Sequence, residues 1–514
     1  MATTVDEIEF KYEVPAGTVL PPLEDLPRVA AESDPDEQNL EADYYDTPDL
    51  RLIRAGITLR RRRGGSDPGW HLKLPVGGNS RREIQVPLSH GGAAGSGGSG
   101  GSDVPDELAA LVRVHTRGEP LVPVAIIRTR RRRRLLLDRA GTSLAELVAD
   151  EVSAETLGES TTISSWDEVE VELTGGGRKL LEAADERLRH SGLRRARRTA
   201  KLERALTGQI PEPGPRHMLT RHSPAGDVVL AYLGSQVDAV KSMDPMVRRD
   251  EPDAVHQMRV ATRRLRSTLQ AFGKVLRRRD TQALSAELKW LGGVLGEARD
   301  AEVLDARMER RARETPAELL LGPVQARIQG HFAALKAAAR TSLLEALDSQ
   351  RYFALLDGLD RLLADPPVTA KARKPAGHVL PAMNARAYRR LARRMRYIPR
   401  APSSNARDAA LHEARKAAKR ARYAAEAVSP ALGGQARRFA KRMKALQSVL
   451  GDHQDTVVAR RVDRELGVSA HLAGENVFSY GLLYERDANE ALHLQEEARQ
   501  VWKRSSRPRY RRWM

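Results

Sequence analysis

The chain has 514 residues, which at about 150 per domain suggests two to four domains, with 41% hydrophobic and 30% charged residues, a globular composition. Lysine and arginine outnumber aspartate and glutamate 86 to 68, so the formal charge is +18 and the pI near 10.2; a surplus of that size favours a polyanion, whether nucleic acid, anionic lipid or phosphate polymer. Cysteine is absent, which excludes disulfides, zinc knuckles, iron–sulfur clusters and thiol nucleophiles.

Met1 to Val14 is acidic and alternating, with neither a basic start nor an apolar stretch, so no signal peptide is expected. No run reaches the ~18–20 apolar residues of a membrane helix, and the expected address is cytoplasmic. Up to about residue 207 the chain reads as strands. Glu7, Glu9, Lys11 and Glu13 alternate with Ile8, Phe10, Tyr12 and Val14; Thr58, Arg60 and Arg62 with Ile57 and Leu59; His71 and Lys73 with Trp70, Leu72 and Leu74. Glu83 and Gln85 alternate with Ile84 and Val86, Arg128 and Arg130 follow Val124 and Ile126, and Glu168, Glu170 and Glu172 alternate with Val169, Val171 and Leu173. A period of two puts each set on one face of its strand. An ordinary solvated face mixes polar residues without order. Strand after strand of glutamate or arginine and lysine points instead to a closed barrel with a charged interior, its apolar faces turned outward under covering helices. Leu23 to Ala31, Pro105 to Val114 and Lys179 to Ser191 could supply that cover, and Gly91 to Gly101 reads as a flexible surface loop. In the run Arg130 to Arg134, alternation turns Arg130, Arg132 and Arg134 to the side of Arg128.

Gly208 to Pro215 carries three prolines and two glycines and marks a linker. Beyond about residue 225 the chain reads as helix with an internal repeat. His256, Arg259, Arg263, Arg264 and Arg266 match His412, Arg415, Lys419, Arg420 and Arg422 at an offset of 156, and Lys289…Gly296…Asp300 matches Lys444…Gly451…Asp455 at an offset of 155. This predicts two similar helical bundles joined through Asp365 to Pro375. Positions 256, 259, 263 and 266 share one helix face, and from Ala254 to Arg279 there is no Asp or Glu. Unpaired like charges are costly without a bound anion. Arg386, Arg389, Arg390, Arg393, Arg394 and Arg396 form a third such strip.

Guanidinium groups fork onto phosphate oxygens, and a histidine at the edge of the set can donate to phosphate without a metal. A zinc-protease reading of His412-Glu413 fails because Lys416 stands where the second histidine belongs. In the first half, carboxylates facing cations allow a hard divalent cation to be held beside phosphate, which suits phosphoryl transfer. No GxxxxGK[ST] loop, G-x-S-x-G elbow or catalytic triad is present.

Glu7-Ile-Glu9-Phe-Lys11 resembles the ExExK signature of the CYTH domain, the triphosphate tunnel metalloenzyme fold. Arg60 and Arg62, Lys73, Arg128 with Arg130, Asp150, the Glu168/Glu170/Glu172 strand and Lys201 are the ordered partners that support the resemblance over residues 1–207. It implies an eight-stranded antiparallel tunnel with flanking helices. Within it Glu7, Glu9, Glu170, Glu172 and Asp150 are implied as ligands of Mg2+ or Mn2+, directly or through water. Arg60, Arg62, Lys73, Arg128, Arg130 and Lys201 would clamp phosphates, and Lys11, with Glu9, would serve catalysis by orienting or activating the attacking water. Gln85 departs from the pattern, in which a second carboxylate often follows that of Glu83. Residues from about 222 to 510 resemble the CHAD domain, a helical domain opened in each repeat by a histidine, here His256 and His412. That resemblance implies a basic groove for inorganic polyphosphate formed by His256, Arg259, Arg263, Arg266 and Lys289 with His412, Arg415, Lys419, Arg422 and Lys444.

The expected organisation is thus an α+β multidomain protein: a tunnel domain at 1–207, a linker at 208–224, and an all-α region at 225–510 with repeats of about 225–364 and 379–510. The expected activity is metal-dependent hydrolysis of a triphosphate, most simply inorganic tripolyphosphate, coupled to polyphosphate binding. A non-catalytic polyphosphate binder targeted to granules is the alternative. Nucleic acid is the weaker partner, since aromatics are only 4% of the chain and single strands need stacking platforms.

Overall fold

The charge-alternating segments of the first half do form strands, and their pairing closes on itself. In this computed structural model residues 3–15, 17–77, 80–88, 103–158, 161–198, 200–210 and 218–514 are described. The chain divides into two units, Met1–Pro215 and Arg216–Met514. The first holds β1 (Thr3–Glu13), β2 (Ala31–Glu32), β3 (Asp36–Asp46), α1 (Arg51–Arg54), β4 (Thr58–Arg63), β5 (Gly69–Gly77) and β6 (Ser80–Pro87). There follow α2 (Asp106–Thr116), β7 (Val122–Leu137), β8 (Ser143–Thr156), β9 (Ile163–Leu173), α3 (Arg178–His190), β10 (Arg194–Arg195) and α4 (Lys201–Ala205). Eight strands run antiparallel in the order β1-β6-β5-β4-β3-β7-β8-β9, and β9 pairs back onto β1 with Glu9 opposite Glu172 and Lys11 opposite Glu170. The two-residue strands β2 and β10 add to β7 and β1.

Closure leaves no sheet edge and gives every strand an inside and an outside. The outside carries the apolar residues: Phe10, Tyr12, Leu147, Val169 and Val171 bury against Leu180, Leu181, Ala184 and Leu188 of α3. Leu59, Trp70, Leu72 and Ile84 bury against Leu108, Leu111 and Val112 of α2. Two of the three expected covers are therefore helices. The third, Leu23 to Ala31, is a chain of turns that nonetheless buries Leu23 and Leu26 in the same cluster as α3. The Gly/Ser run 91–101 lies outside the described residues, as does the linker stretch 211–217.

The second unit has nine α-helices among the described residues. The first half holds α5 (Ala225–Arg248), α6 (Ala254–Ala271), α7 (Gln282–Arg313), α8 (Val324–Leu347) and α9 (Gln350–Ala364). The second holds α10 (Ala376–Tyr397), α11 (Ser404–Leu432), α12 (Gly434–Leu472) and α13 (Phe478–Ser505). The repeat is expressed as a pseudo-twofold arrangement, visible in reciprocal backbone bonds where α5 and α10 begin. Ala225 N donates to Lys374 O and Ala376 N to Ser223 O, each at 2.9 Å; Gly226 N donates to Ala372 O and Gly377 N to Arg221 O, also at 2.9 Å. Every residue in these pairs is exchanged for its counterpart 151 positions away. Residues 221–224 are thus tied into the helical unit, and α10, with its arginine strip, is the first helix of the second half and the counterpart of α5.

Candidate functional site

Alternation carries Glu7, Glu9 and Lys11 of β1, Arg60 and Arg62 of β4, Lys73 of β5, Glu83 and Gln85 of β6, and Glu170 and Glu172 of β9 into the barrel, where they line one cavity of about 260 Å³. The interior is a mesh of opposite charges. Lys73 donates to both Glu7 oxygens at 2.6 and 2.8 Å. Lys11 donates to Glu170 at 2.6 Å and lies 3.2 Å from Glu9. Buried His71 meets Glu83 at 2.8 Å, and Arg60 stands 3.7 Å from the same carboxylate. Burial disfavours the Lys11 ammonium, but Glu170 and Glu9 outweigh it and hold the pKa above the ordinary lysine value. Lys11 is therefore a fixed cation that can donate, not a base.

Two carboxylate groups behave oppositely. Asp150, Glu168 and Glu170 place oxygens within 4.8 Å of one another, close enough for a metal ion. The Lys201 ammonium, brought in by α4, already sits among them at 2.8, 2.7 and 2.7 Å. Arg131 adds a fork to Asp150 at 2.8 and 2.9 Å. Burial raises the Glu170 pKa, but Lys11, Lys201 and Arg131 together pull it well below its ordinary value. At the other end of β9 the balance reverses: burial, then Glu7 and Glu9, push Glu172 up to about 8, and burial pushes Glu7 to about 7 despite Lys73. Glu172 has no cation within ion-pair distance among the described residues. Glu172 crowded by Glu7 and Glu9 is the kind of carboxylate cluster that a hard divalent cation relieves, so Glu7, Glu9 and Glu172 could hold Mg2+ or Mn2+ even though Glu7 is paired with Lys73 and Glu9 lies beside Lys11. Asp150 and Glu170, expected as ligands, hold the Lys201 ammonium in this structure and with Glu168 also stand close enough together for a metal ion.

Arg128 and Arg130 do not enter the cavity. They are exposed on the outside of β7, Arg128 against Glu41 at 2.9 Å and Arg130 against Glu37 at 3.4 Å. The inward parity belongs to Arg131 and Arg133, which line the cavity. On β7 charge does not mark the inside alone, since the outer face beside β3 and β8 carries an ion-pair ladder of its own. Arg81, which also lines the cavity, was missed although it continues the Arg81, Glu83, Gln85 alternation.

In the helical unit the first-repeat and second-repeat cations meet. Lys419 of α11 is crowded by Arg415 on its own helix and by Arg263 and Arg259 of α6. The Nε atoms of Arg259, Arg263, Arg266 and Arg415 are buried without a hydrogen-bond partner among the described residues. The glycines of the repeat explain how the arginines lie so close: a Cβ on Gly296 would stand 3.2 Å from an Arg259 nitrogen, and one on Gly451 3.3 Å from an Arg415 nitrogen. Arg259 is oriented by Asp300 at 2.7 Å, the residue matched by Asp455 in the repeat. His412 meets Gln454 at 2.6 Å, and burial followed by neighbouring arginines lowers the pKa of His256. Three expected members differ. Arg422 is held by Glu426 at 2.6 Å and by Gln447 at 3.1 Å, which removes it from the unpaired set. Lys289 and Lys444 are exposed, one on α7 and one on α12, each seven residues before the glycine that seats an arginine.

A CYTH domain model matches residues 6–201 and a CHAD domain model matches residues 231–462. Two proteins of Mycobacterium tuberculosis, bearing the names "Uncharacterized protein MT2285" and "Uncharacterized protein Rv2226", are each 37% identical over 512 residues, covering 96% of this chain and 94% of theirs. Among solved structures, PptA from Streptomyces chartreusis is similar at 21% identity and a TM-score of 0.47, over 55% of this chain and 100% of that one. The CHAD domain of the plant Ricinus communis is similar at 28% identity and a TM-score of 0.46, over 57% of this chain and 96% of that one.

Proposed function

Since the chain belongs to the family that places a CYTH domain before a CHAD domain, we propose that its barrel hydrolyses triphosphate chains, inorganic tripolyphosphate first among them, and that its helical unit binds inorganic polyphosphate. The observation that carries the first half is the lining of one cavity inside the barrel: Glu172, without a cation of its own among the described residues, crowded by Glu7 and Glu9 beside a wall of arginine and lysine. Glu7, Glu9 and Glu172 would hold Mg2+ or Mn2+, which when bound supplies charge neutralisation and polarises phosphate oxygens. Arg60, Arg62, Lys73, Arg131 and Arg133 present donors to the non-bridging oxygens and fix the chain in line. Lys11 stays protonated throughout and orients by donating, while His71 holds Glu83 in place for Arg60 and Lys73. No helix among the described residues is long and apolar enough to cross a membrane, and we place the protein in the cytoplasm, at polyphosphate granules where these form.

The test is phosphate release from tripolyphosphate by the full chain with Mg2+ or Mn2+. Chelation is expected to abolish it, and Glu9→Gln or Lys11→Ala to reduce kcat at least about 100-fold, the scale of losing a positioned charged group. Full activity in both variants would refute the site. Gln85, standing in the wall beside Glu83, favours a second reading in which the barrel grips a chain end without cutting it; a folded protein that binds tripolyphosphate and releases nothing would select that reading.

The two parities of β7 give a sharper check on the wall. Arg131→Ala is expected to raise KM for tripolyphosphate about tenfold or more, as expected for a lost charged hydrogen bond, whereas Arg130→Ala leaves it within about twofold because exposed pairs contribute little. The reverse order of effects would put the wrong face of β7 inside.

A further inference from the structure

The helical unit is symmetric in backbone but not in what fills its two equivalent clefts. The 151-residue correspondence of α5 with α10 and the 156-residue correspondence of α6 with α11 pair Tyr232 with Met383, Arg264 with Arg420, Tyr423 with Ser267 and Glu426 with Gln270. On the α5 side the cleft is plugged: Glu426 accepts from Arg264 at 3.1 Å and from Tyr232 at 3.4 Å, and the Arg264 guanidinium lies 5.8 Å from the Tyr423 ring centre. On the α10 side Met383, Ser267, Gln270 and Arg420 line a cavity of about 1480 Å³. Among the described residues its wall contains arginines, lysines and one histidine but no carboxylate. The cations come from α10, where Arg386, Arg389, Arg390 and Arg393 stand at positions that α5 fills with Ser235, Asp238, Ala239 and Ser242. Those four arginines have no ion-pair partner among the described residues, and burial, then Arg390, lowers the pKa of Arg420 on the facing helix.

We propose that this one-sided cleft between α10 and the α6–α11 pair is a second binding site for a linear condensed-phosphate chain, separate from the Arg259/Arg263/Arg415/Lys419 cluster. The inference rests on the reading of the helical unit as a polyphosphate binder and adds to it where the chain lies and why it lies on one side only. The arginine strip from 386 to 394 spans about 12 Å of helix, longer than a single orthophosphate can use. Tyr397 is the lone tyrosine, phenylalanine or tryptophan in the wall among the described residues, so a nucleic acid strand would find charge but almost no stacking. A densely charged polymer without bases matches both features.

The test uses the full chain and long-chain inorganic polyphosphate, with orthophosphate, tripolyphosphate and duplex DNA as competitors at equal phosphate and fixed salt. In R389A/R393A, which alters exposed side chains only, affinity for long-chain polyphosphate is expected to fall at least about tenfold and the salt slope to shrink by roughly one to two. The double variant S267Y/Q270E copies the plug of the other side and is expected to have the same effect while the melting temperature stays near that of the wild type. The reciprocal Y423S/E426Q is expected to strengthen binding. Wild-type affinity in both R389A/R393A and S267Y/Q270E, from a protein that does bind polyphosphate, would overturn this site and leave the functional reading standing. Displacement by duplex DNA at lower phosphate concentration than polyphosphate would also overturn it. A wild-type chain that binds no polyphosphate would overturn both.

Discussion

Lys201→Met is expected to destabilise the barrel by about 3–5 kcal/mol, the scale of leaving buried charge uncompensated. The side chain is nearly isosteric with methionine, so the loss is of charge rather than volume. With the ammonium gone, Asp150, Glu168 and Glu170 keep only Lys11 and Arg131 as counter-charges for three buried carboxylates. The sign of the pH response follows. In the native protein, burial opposes the charge of Asp150 and Glu170, yet Lys201 with Arg131 and Lys11 holds both pKa values below their ordinary range. Their stabilising contribution is present above the unfolded carboxylate pKa and is lost as pH falls through the lower folded one. In the variant those carboxylates protonate more readily folded than unfolded, so its deficit against the wild type narrows from pH 7 toward pH 4. The same three oxygens can then accept a divalent cation, and Mg2+ or Mn2+ at about 100 times its Kd would return about 2.7 kcal/mol. Denaturant melts of both proteins, with and without metal, read all three effects. A variant as stable as the wild type at neutral pH without metal would show that the Lys201 cluster is not the internal counter-charge described.

How much of this was legible in the sequence depended on whether each strand offered contrast between its two faces. β1 alternates Glu7, Glu9 and Lys11 with Ile8, Phe10 and Tyr12, so its phase is visible, and β9 and β5 read the same way. That contrast, repeated over six segments, pointed to an inside-out barrel, and the number of eight strands came from the resemblance to the CYTH domain. On β7 the five arginines 130–134 occupy both faces, a period of two has no phase to report, and the parity is set by partners instead: Asp150 inside for Arg131, Glu37 and Glu151 outside for Arg130 and Arg132. Spacing could not reveal that Lys201 would settle among three carboxylates, because α4 reaches them through tertiary packing of Leu202, Ala205 and Leu206 against Ile127, Val152 and Ala154. In the helical unit the repeat of His256 and His412 announced the pairing of α6 with α11. It could not announce which copies are neutralised: Arg422 and Arg266 are equivalent in sequence, and only the former meets Glu426. The arginine strip of α10 was legible as charge, but its place as the counterpart of α5 rests on the reciprocal bonds around Ala225 and Ala376.

Polyphosphate binding by the helical unit is expected to take up protons and to weaken as pH rises from 6 to 8, by up to about tenfold per pH unit. The group responsible is Lys419. Burial, and then Arg415 on its own helix with Arg263 and Arg259 of α6, bring its pKa down to about 6, while Asp300 of α7 offsets only part of this. In the free protein at pH 7.5 it is mainly a neutral amine, so the cluster carries one fewer positive charge than its sequence implies. A phosphate chain reverses the balance, since its oxygens restore the counter-charge that Lys419 lacks and pull the amine back to ammonium. The bound pKa then exceeds the free one, and by linkage each unit of pH above about 6 costs affinity until the bound pKa is reached. His256 and His412, both lowered first by burial, extend the same slope to lower pH. Titration calorimetry in buffers of different ionisation heat measures the uptake directly. Lys419→Arg fixes the charge, because a guanidinium does not deprotonate in this range, and is expected to bind at pH 8 as tightly as the wild type does near pH 6. Lys419→Met is expected to bind weakly at both, with the lysine contribution to the slope gone. A wild-type affinity that is level across pH 6 to 8, with no proton uptake, would mean that Lys419 is already charged in the free protein and that the crowding of α6 against α11 is compensated elsewhere.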